Sequence, residues 1–257
     1  MKYPVIDAHV HPFTDSCGKN IGRYGHPRST AEFMETLQLL GVSNCCGSVI
    51  GAADPLDFKT LLRFNETALE LREKYPDFYV PGIHIHGGYP DECCRMLRDY
   101  HRAGVRWIGE MVNYSMATGP YDSPGMLKIC ETARELGMVL NLHVNMPELG
   151  QLENLAVRLP GLKIVLAHPG DGADFEKRLA LLCRYPDLYL DISGTGLFRW
   201  GMLRKAVDTL GADHVIFGSD FPVCNPGLYL HGALFEHLTE AEFKLVLAEN
   251  FLRLTGN

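Results

Sequence analysis

Short apolar runs alternate with longer amphipathic stretches along almost the whole of this 257-residue chain. Runs of strand length fall at Val5 to Pro12, Asn44 to Ile50, Tyr79 to His86, Val105 to Val112, Val139 to Asn145, Lys163 to Pro169, Leu188 to Ser193 and Val215 to Pro222. Helix signals fill the gaps. Ser29 with Glu32 forms a capping box that opens a helix through Leu40, closed by Gly41, and Asp54-Pro55 starts another to about Tyr75. Further helices are expected over Asp91 to Ala103, from the Ser123-Pro124 cap to Gly137, and over Pro147 to Leu159, Asp174 to Tyr185 and Arg199 to Leu210. A second capping box, Thr239 with Glu242, opens the last helix, which runs to about Leu254.

Strand and helix in strict alternation call for a parallel sheet covered by helices. Eight such units predict an α/β fold, a single (β/α)8 TIM barrel over residues 1–257. In that fold the chemistry lies at the C-terminal ends of the strands, which is where the polar residues of these runs collect. They are His9 and His11 on the first strand, His84 and His86 on the third, Glu110 on the fourth, His143 on the fifth, His168 on the sixth and Asp220 on the eighth. Strand alternation places Asp7, His9 and His11 on one face of the first run and Ile6, Ala8 and Val10 on the other. Each histidine alone reads equally well as a hydrogen-bonded core residue. Polar groups recurring at one end of successive strands converge on one axis, however, and buried charges gathered there need a cation or each other.

Composition narrows the setting. A 46% hydrophobic content can bury a sizeable core, and no segment reaches the roughly 18 apolar residues of a membrane span. The first residues carry Asp7, His9 and His11 where a signal peptide has an apolar run. The protein is therefore expected to be soluble and cytoplasmic, with no membrane partner. The net charge of −7 argues against a nucleic-acid partner, which needs concentrated Lys and Arg. The eight cysteines form no C-x-x-C pair, and buried reduced thiols are expected rather than a disulfide frame. The Gly-rich stretch Pro12 to Arg28 reads as either a lid or a disordered loop.

The ordered set Asp7-Ala8-His9-Val10-His11, His143, Leu166-Ala167-His168-Pro169 and Gly218-Ser219-Asp220-Phe221-Pro222 resembles the amidohydrolase superfamily, with the amidohydrolase-2 branch the nearest match. The resemblance implies a divalent metal, most often zinc, held by His9, His11 and Asp220 with others of the named residues. Glu110 is similar to the bridging acid of members that hold two ions. In that arrangement His143 and His168 hold the second ion, whereas with one ion His168 would orient the substrate. The implied activity is hydrolysis of a small-molecule lactone, amide or ester by a metal-activated water, with Asp220 as proton shuttle. The alternative is non-oxidative decarboxylation by the same ligands, favoured if paired arginines clamp the substrate and Glu110 points away from the metal. His84 and His86 are candidate substrate contacts or a hydrogen-bonded pair, Arg23 and Arg199 candidate carboxylate contacts or solvated surface residues, and Asp7 either orients one histidine ring or makes a simple buried hydrogen bond. Barrels of this kind often pair, so a homodimer is one expected state.

Overall fold

The computed structural model describes residues 3–18, 21–22, 24–51, 56–196 and 199–256. Eight strands lie in one parallel sheet in sequence order: β1 (Ile6–Val10), β2 (Asn44–Ser48), β3 (Tyr79–Ile83), β4 (Trp107–Met111), β5 (Val139–His143), β6 (Ile164–Ala167), β7 (Leu188–Asp191) and β8 (Val215–Ile216). The sheet closes on itself. Past Ile216 the chain runs beside β1, and Ala8 N–H donates to Phe217 O (3.0 Å), His11 N–H to Phe221 O (2.8 Å) and Asp220 N–H to His9 O (2.8 Å). The expected (β/α)8 barrel is thus the fold of the described residues.

The helices are α1 (Thr30–Leu39), α2 (Phe58–Lys74), α3 (Pro90–Arg102), α4 (Asn113–Met116), α5 (Pro124–Glu135), α6 (Leu149–Arg158), α7 (Gly172–Leu182), α8 (Met202–Leu210), α9 (Pro226–Leu234), α10 (Glu240–Lys244) and α11 (Asn250–Thr255). The caps read from sequence form at three of them. Ser29 Oγ accepts from Glu32 N–H (3.2 Å), Ser123 Oγ from Met126 N–H (3.3 Å), and Thr239 with Glu242 makes a reciprocal box. Helix α2 starts later than expected, because Asp57 is its cap and accepts from Thr60 N–H at 2.7 Å. Asp54 and Pro55 lie outside the described residues. Helix α9 was not among the expected elements, and its cap is Asn225, followed by Pro226 in the first turn. The final helix is divided by a wide π turn at Leu245–Glu249.

Two apolar layers hold the barrel. Leu140, Leu142, Ile164, Leu166, Leu188 and Leu190 face outward to the helices. Ile6, Ala8, Cys46, Trp107, Val139, Val165, Tyr189 and Ile216 form a floor inside the barrel, plugged by Phe251 and Leu254 of α11. Phe251 and Trp107 meet with ring centroids 5.2 Å apart. The eight cysteines are all unpaired thiols, and no helix among the described residues is long and apolar enough to cross a membrane.

Alternation fails at two places, both of which carry site residues. Asp7 pairs with Cys45 and Val10 with Gly47, so β1 advances three residues where β2 advances two. Likewise Ile108 pairs with Leu140 and Met111 with Leu142, an extra residue in β4. A bulge of this kind re-aims the side chains beyond it. It corrects the sequence reading of β1: Ile6 and Ala8 belong to the interior floor, yet His9 and His11 also enter the barrel above them, and Val10 packs outward. In β4 the bulge turns Glu110 inward although it follows an apolar run. Gly109 is required there, because a Cβ at its φ of +107° would lie 2.2 Å from the Asn141 carbonyl oxygen.

The floor is thus expected to carry stability and the mouth chemistry. Phe251→Ala should lower unfolding free energy by about 3–5 kcal/mol, measured by urea denaturation, with metal uptake by the folded protein unchanged.

Candidate metal centre

Six side chains at or just past the C-terminal ends of β1, β4, β5, β6 and β8 meet above this floor. His9 Nε2 lies 3.2 Å from His11 Nε2 and 3.3 Å from Glu110 Oε2. His11 Nε2 is 3.3 Å from the same Glu110 oxygen and 3.4 Å from Asp220 Oδ1, which is 3.7 Å from His9 Nε2. A cation with donors at 2.0–2.1 Å in tetrahedral array requires donor–donor separations of about 3.3–3.4 Å. The separations of His9 and His11 from each other, from Glu110 and from Asp220, 3.2–3.7 Å, lie around that figure. On its other oxygen, Oε1, Glu110 meets His143 Nδ1 at 3.0 Å and His168 Nε2 at 3.1 Å, and these two nitrogens are 3.1 Å apart. Glu110 therefore presents one oxygen to each of two donor sets. The second set has three protein donors, which leaves a fourth tetrahedral position for a small molecule.

Partners outside this cluster fix the rings. His9 Nδ1–H donates to Asp191 Oδ2 at 2.5 Å, and His11 Nδ1–H to the Ser48 carbonyl at 3.3 Å, so each Nε2 carries its lone pair inward. Ser193 Oγ stands between the two sets, 2.9 Å from His9 Nδ1 and 3.1 Å from His168 Nδ1, and its own N–H is held by Asp191 Oδ1 at 2.6 Å. Close approach needs glycine at two neighbouring points. A Cβ on Gly194 would fall 2.1 Å from His168 Nδ1, and one on Gly218 would fall 2.6 Å from the His9 Cβ. His168 and Asp220 themselves adopt left-handed backbone, φ +66° and +63°, a cost of about 1–3 kcal/mol each that such constellations hold in place.

The electrostatics ask for positive charge. Burial works against charge on His9, but the carboxylates of Glu110 and Asp191 outweigh it and hold the imidazole pKa well above its usual value. Burial is likewise overcome at His11 by hydrogen bonds to Asp220 and Glu110, and at His168 by Glu110, so both are raised. The Glu110 carboxyl, pushed up by burial, is pulled well below the usual range by His9 and the hydrogen bonds of His11, His143 and His168. A divalent cation meets the same demand without protons, and the donor set of imidazole nitrogens and carboxylate oxygens suits zinc or manganese.

Of the sequence-predicted residues, the geometry brings together His9, His11, Glu110, His143, His168 and Asp220. His84 is buried nearby, with its backbone N–H on Asn65 and its Nε2–H on the Val49 carbonyl at 2.9 Å. Burial lowers its pKa to about 4, so it is neutral. His86 accepts from Gly88 N–H at the entry to α3, and neither His84 nor His86 lines the cavity over the cluster. Arg199 is exposed and donates to Asp171 at 2.7 Å, away from that cavity. Arg23 lies outside the described residues. Asp7 does not orient a ring, because its Oδ1 accepts from the backbone N–H of Ser219 (2.9 Å) and of His9 (3.3 Å). The orienting acid is Asp191. Sequence reasoning passed over it, although an acid ending the apolar run of β7 is the same signal that drew attention to Glu110.

Above the cluster lies a cavity of about 170 Å³, walled by His11, Ile21, Ile50, Val112, Tyr114 and Val223 among others. The Tyr114 ring stands 4.9 Å from that of His143. The family model described as amidohydrolase matches residues 6–255. The chain belongs to the amidohydrolase family, in its amidohydrolase-2 branch. No curated protein sequence matches it. Solved structures similar to this amidohydrolase include 2,6-dihydroxybenzoate decarboxylase from Rhizobium, at 17% identity and a TM-score of 0.73, covering 99% of each chain. Dihydroxybenzoic acid decarboxylase from Polaromonas sp. JS666, with bound manganese and 2-nitroresorcinol, matches at 17% identity and a TM-score of 0.73, over 99% of this chain and 97% of that one. A probable 2-pyrone-4,6-dicarboxylic acid hydrolase from Acinetobacter baumannii, with citric acid bound, matches at 17% identity and a TM-score of 0.72, over 98% and 99%. At such identities the likeness shows the fold alone.

The Asp191 contact makes a prediction for this amidohydrolase. Asp191→Asn should weaken metal affinity about 10–100-fold, read by competition against a chromogenic chelator, with the far-ultraviolet circular dichroism unchanged.

Proposed function

We propose that this chain is a metal-dependent hydrolase acting on a small-molecule lactone, ester or amide. The observation that carries the reading is the inward Glu110 carboxylate, which offers Oε2 to His9 and His11 and Oε1 to His143 and His168. Two donor sets sharing one carboxylate could hold two divalent cations. When bound there, divalent cations supply Lewis acidity toward a carbonyl oxygen and bring the pKa of water toward neutrality.

The protein's own groups do the rest. His9, His11, Glu110 and Asp220 form the first donor set, and Glu110, His143 and His168 the second. Asp220 stands at the cavity wall with Oδ1 toward His9 and His11. It takes one proton from the attacking water and returns it to the leaving oxygen or nitrogen. The water's hydroxyl ends on the carbonyl carbon and the C–O or C–N bond breaks, giving an acid with an alcohol or amine, or one hydroxy acid from a lactone. Tyr114 and His143 flank the opening. The cavity is close to the roughly 150 Å³ that accommodates a benzene ring, so the reacting end of the substrate is compact.

A second reading, non-oxidative decarboxylation, is supported by the names of the Rhizobium and Polaromonas neighbours. Against it stands the inward Glu110, which the decarboxylase reading would turn away from the metal; among the described residues no Arg or Lys lines the cavity, and Arg23 lies outside them. A panel of lactones, esters, amides and aromatic carboxylates, assayed for acid and for CO₂, separates the two. Acid without CO₂ is expected, and Asp220→Asn should cut turnover about 10²–10⁴-fold while most of the metal stays bound. Release of CO₂ from an aromatic acid, with no acid formed from the other substrates, would replace hydrolase by lyase.

A further inference from the structure

A second, larger hollow adjoins the metal cavity. It is an open cleft of about 680 Å³ between the loop before α1, α1 itself and the segment leading into α9. Val223 belongs to the walls of both hollows. The segment that lines the metal cavity at Asp220 continues into the cleft at Phe221 to Asn225. Val223 is 38% exposed.

The cleft wall is apolar where it is open. Tyr24 and Leu39 are almost fully exposed there, with Leu40, Phe221 and Pro226 beside them. Among the described residues no Lys or Arg lines it, and its one acid, Glu32, is paired with Arg28 at 3.1 Å. Large apolar side chains left in water side by side mark a surface meant to be covered. The exposed side chains at its open side, Tyr24 and Leu39, offer apolar rather than ionic contacts. The compact metal cavity says that anything longer than one ring must leave it, and Val223 marks an edge that opens onto apolar surface.

We propose that this cleft binds the apolar tail of the substrate whose reacting carbonyl lies at the metal cluster. The substrate class is then an ester or amide with a compact acyl head and an alkyl or aryl tail that crosses Val223 toward Leu39. This rests on the hydrolase reading for what happens to the head, while tail binding stands on the cleft alone.

The test uses N-ethylbenzamide and N-hexylbenzamide as probes of the full-length, metal-loaded protein. Binding is measured by calorimetry and turnover separately by benzoate release. Each buried methylene contributes about 0.8 kcal/mol, or roughly fourfold, so the hexyl probe should bind at least tenfold more tightly even with one side of the tail in water. Leu39→Asp, at an exposed position that the fold tolerates, should reduce that gain to less than threefold, and Val223→Asp should do the same. Equal affinity for the two probes, or a gain untouched by both substitutions, overturns the proposal. So does a wild-type dimer in sedimentation that Leu39→Asp converts to monomer, since a second copy would then be the occupant. Tail-dependent binding with no release of benzoate from either probe would keep the cleft assignment and count against the hydrolase reading.

Discussion

The carboxylate of Glu110 is the point on which this structure turns. It is buried among four imidazoles, and a buried anion is tolerable only where hydrogen bonds and positive charge surround it. Its two oxygens face different histidines, so it fixes the spacing of one donor set against the other. Much else follows from holding it there. A bulge in β4 turns it inward, Gly109 gives it room, and the closed barrel brings β1 and the segment after β8 around to meet it.

The surrounding architecture divides labour by depth. The floor of Trp107, Val139, Val165, Tyr189, Ile216 and Phe251 is apolar and closed, and it sets the strands at fixed spacing. One layer higher, the side chains are acids and imidazoles with few alternatives in rotamer or tautomer. Asp191 binds His9, Ser48 binds His11, and Ser193 joins His9 to His168 across the two donor sets. A rigid lower layer and a hydrogen-bonded upper one are what a metal centre needs, since ligand atoms misplaced by an ångström lose the cation.

Much of this was legible in the sequence. Alternating apolar runs and capped helices gave the barrel, and polar residues at strand ends gave His9, His11, Glu110, His143, His168 and Asp220 as a set that the geometry does bring together. What escaped did so for physical reasons. A bulge inserts one residue without a composition of its own, so alternation wrongly set Ile6 and Ala8 opposite His9; Asp7, which reads equally well as a ring partner or a buried hydrogen-bonded acid, is the latter. Asp191 and Ser193 lie at the end of β7 in a short apolar run, and their role depends on a contact to His9 some 180 residues away. Helix α9 is nine residues long and apolar nearly all round, which leaves little period to read. His84 and His86 share the H-x-H spacing of β1, yet one is buried against Val49 and the other serves the start of α3. Spacing alone does not separate the pair that joins the donor cluster from the pair that does not.

The central claim is that two donor sets share the Glu110 carboxylate and hold two cations. Loading the purified chain with manganese, counting metal per chain and recording its electron paramagnetic resonance tests this most directly. Two ions per chain are expected, with the spin-coupled signal of a pair about 3.5–4 Å apart, reduced to one uncoupled ion by Glu110→Gln. A single uncoupled ion in the wild type, or no retained metal with manganese or zinc in excess, would contradict the account.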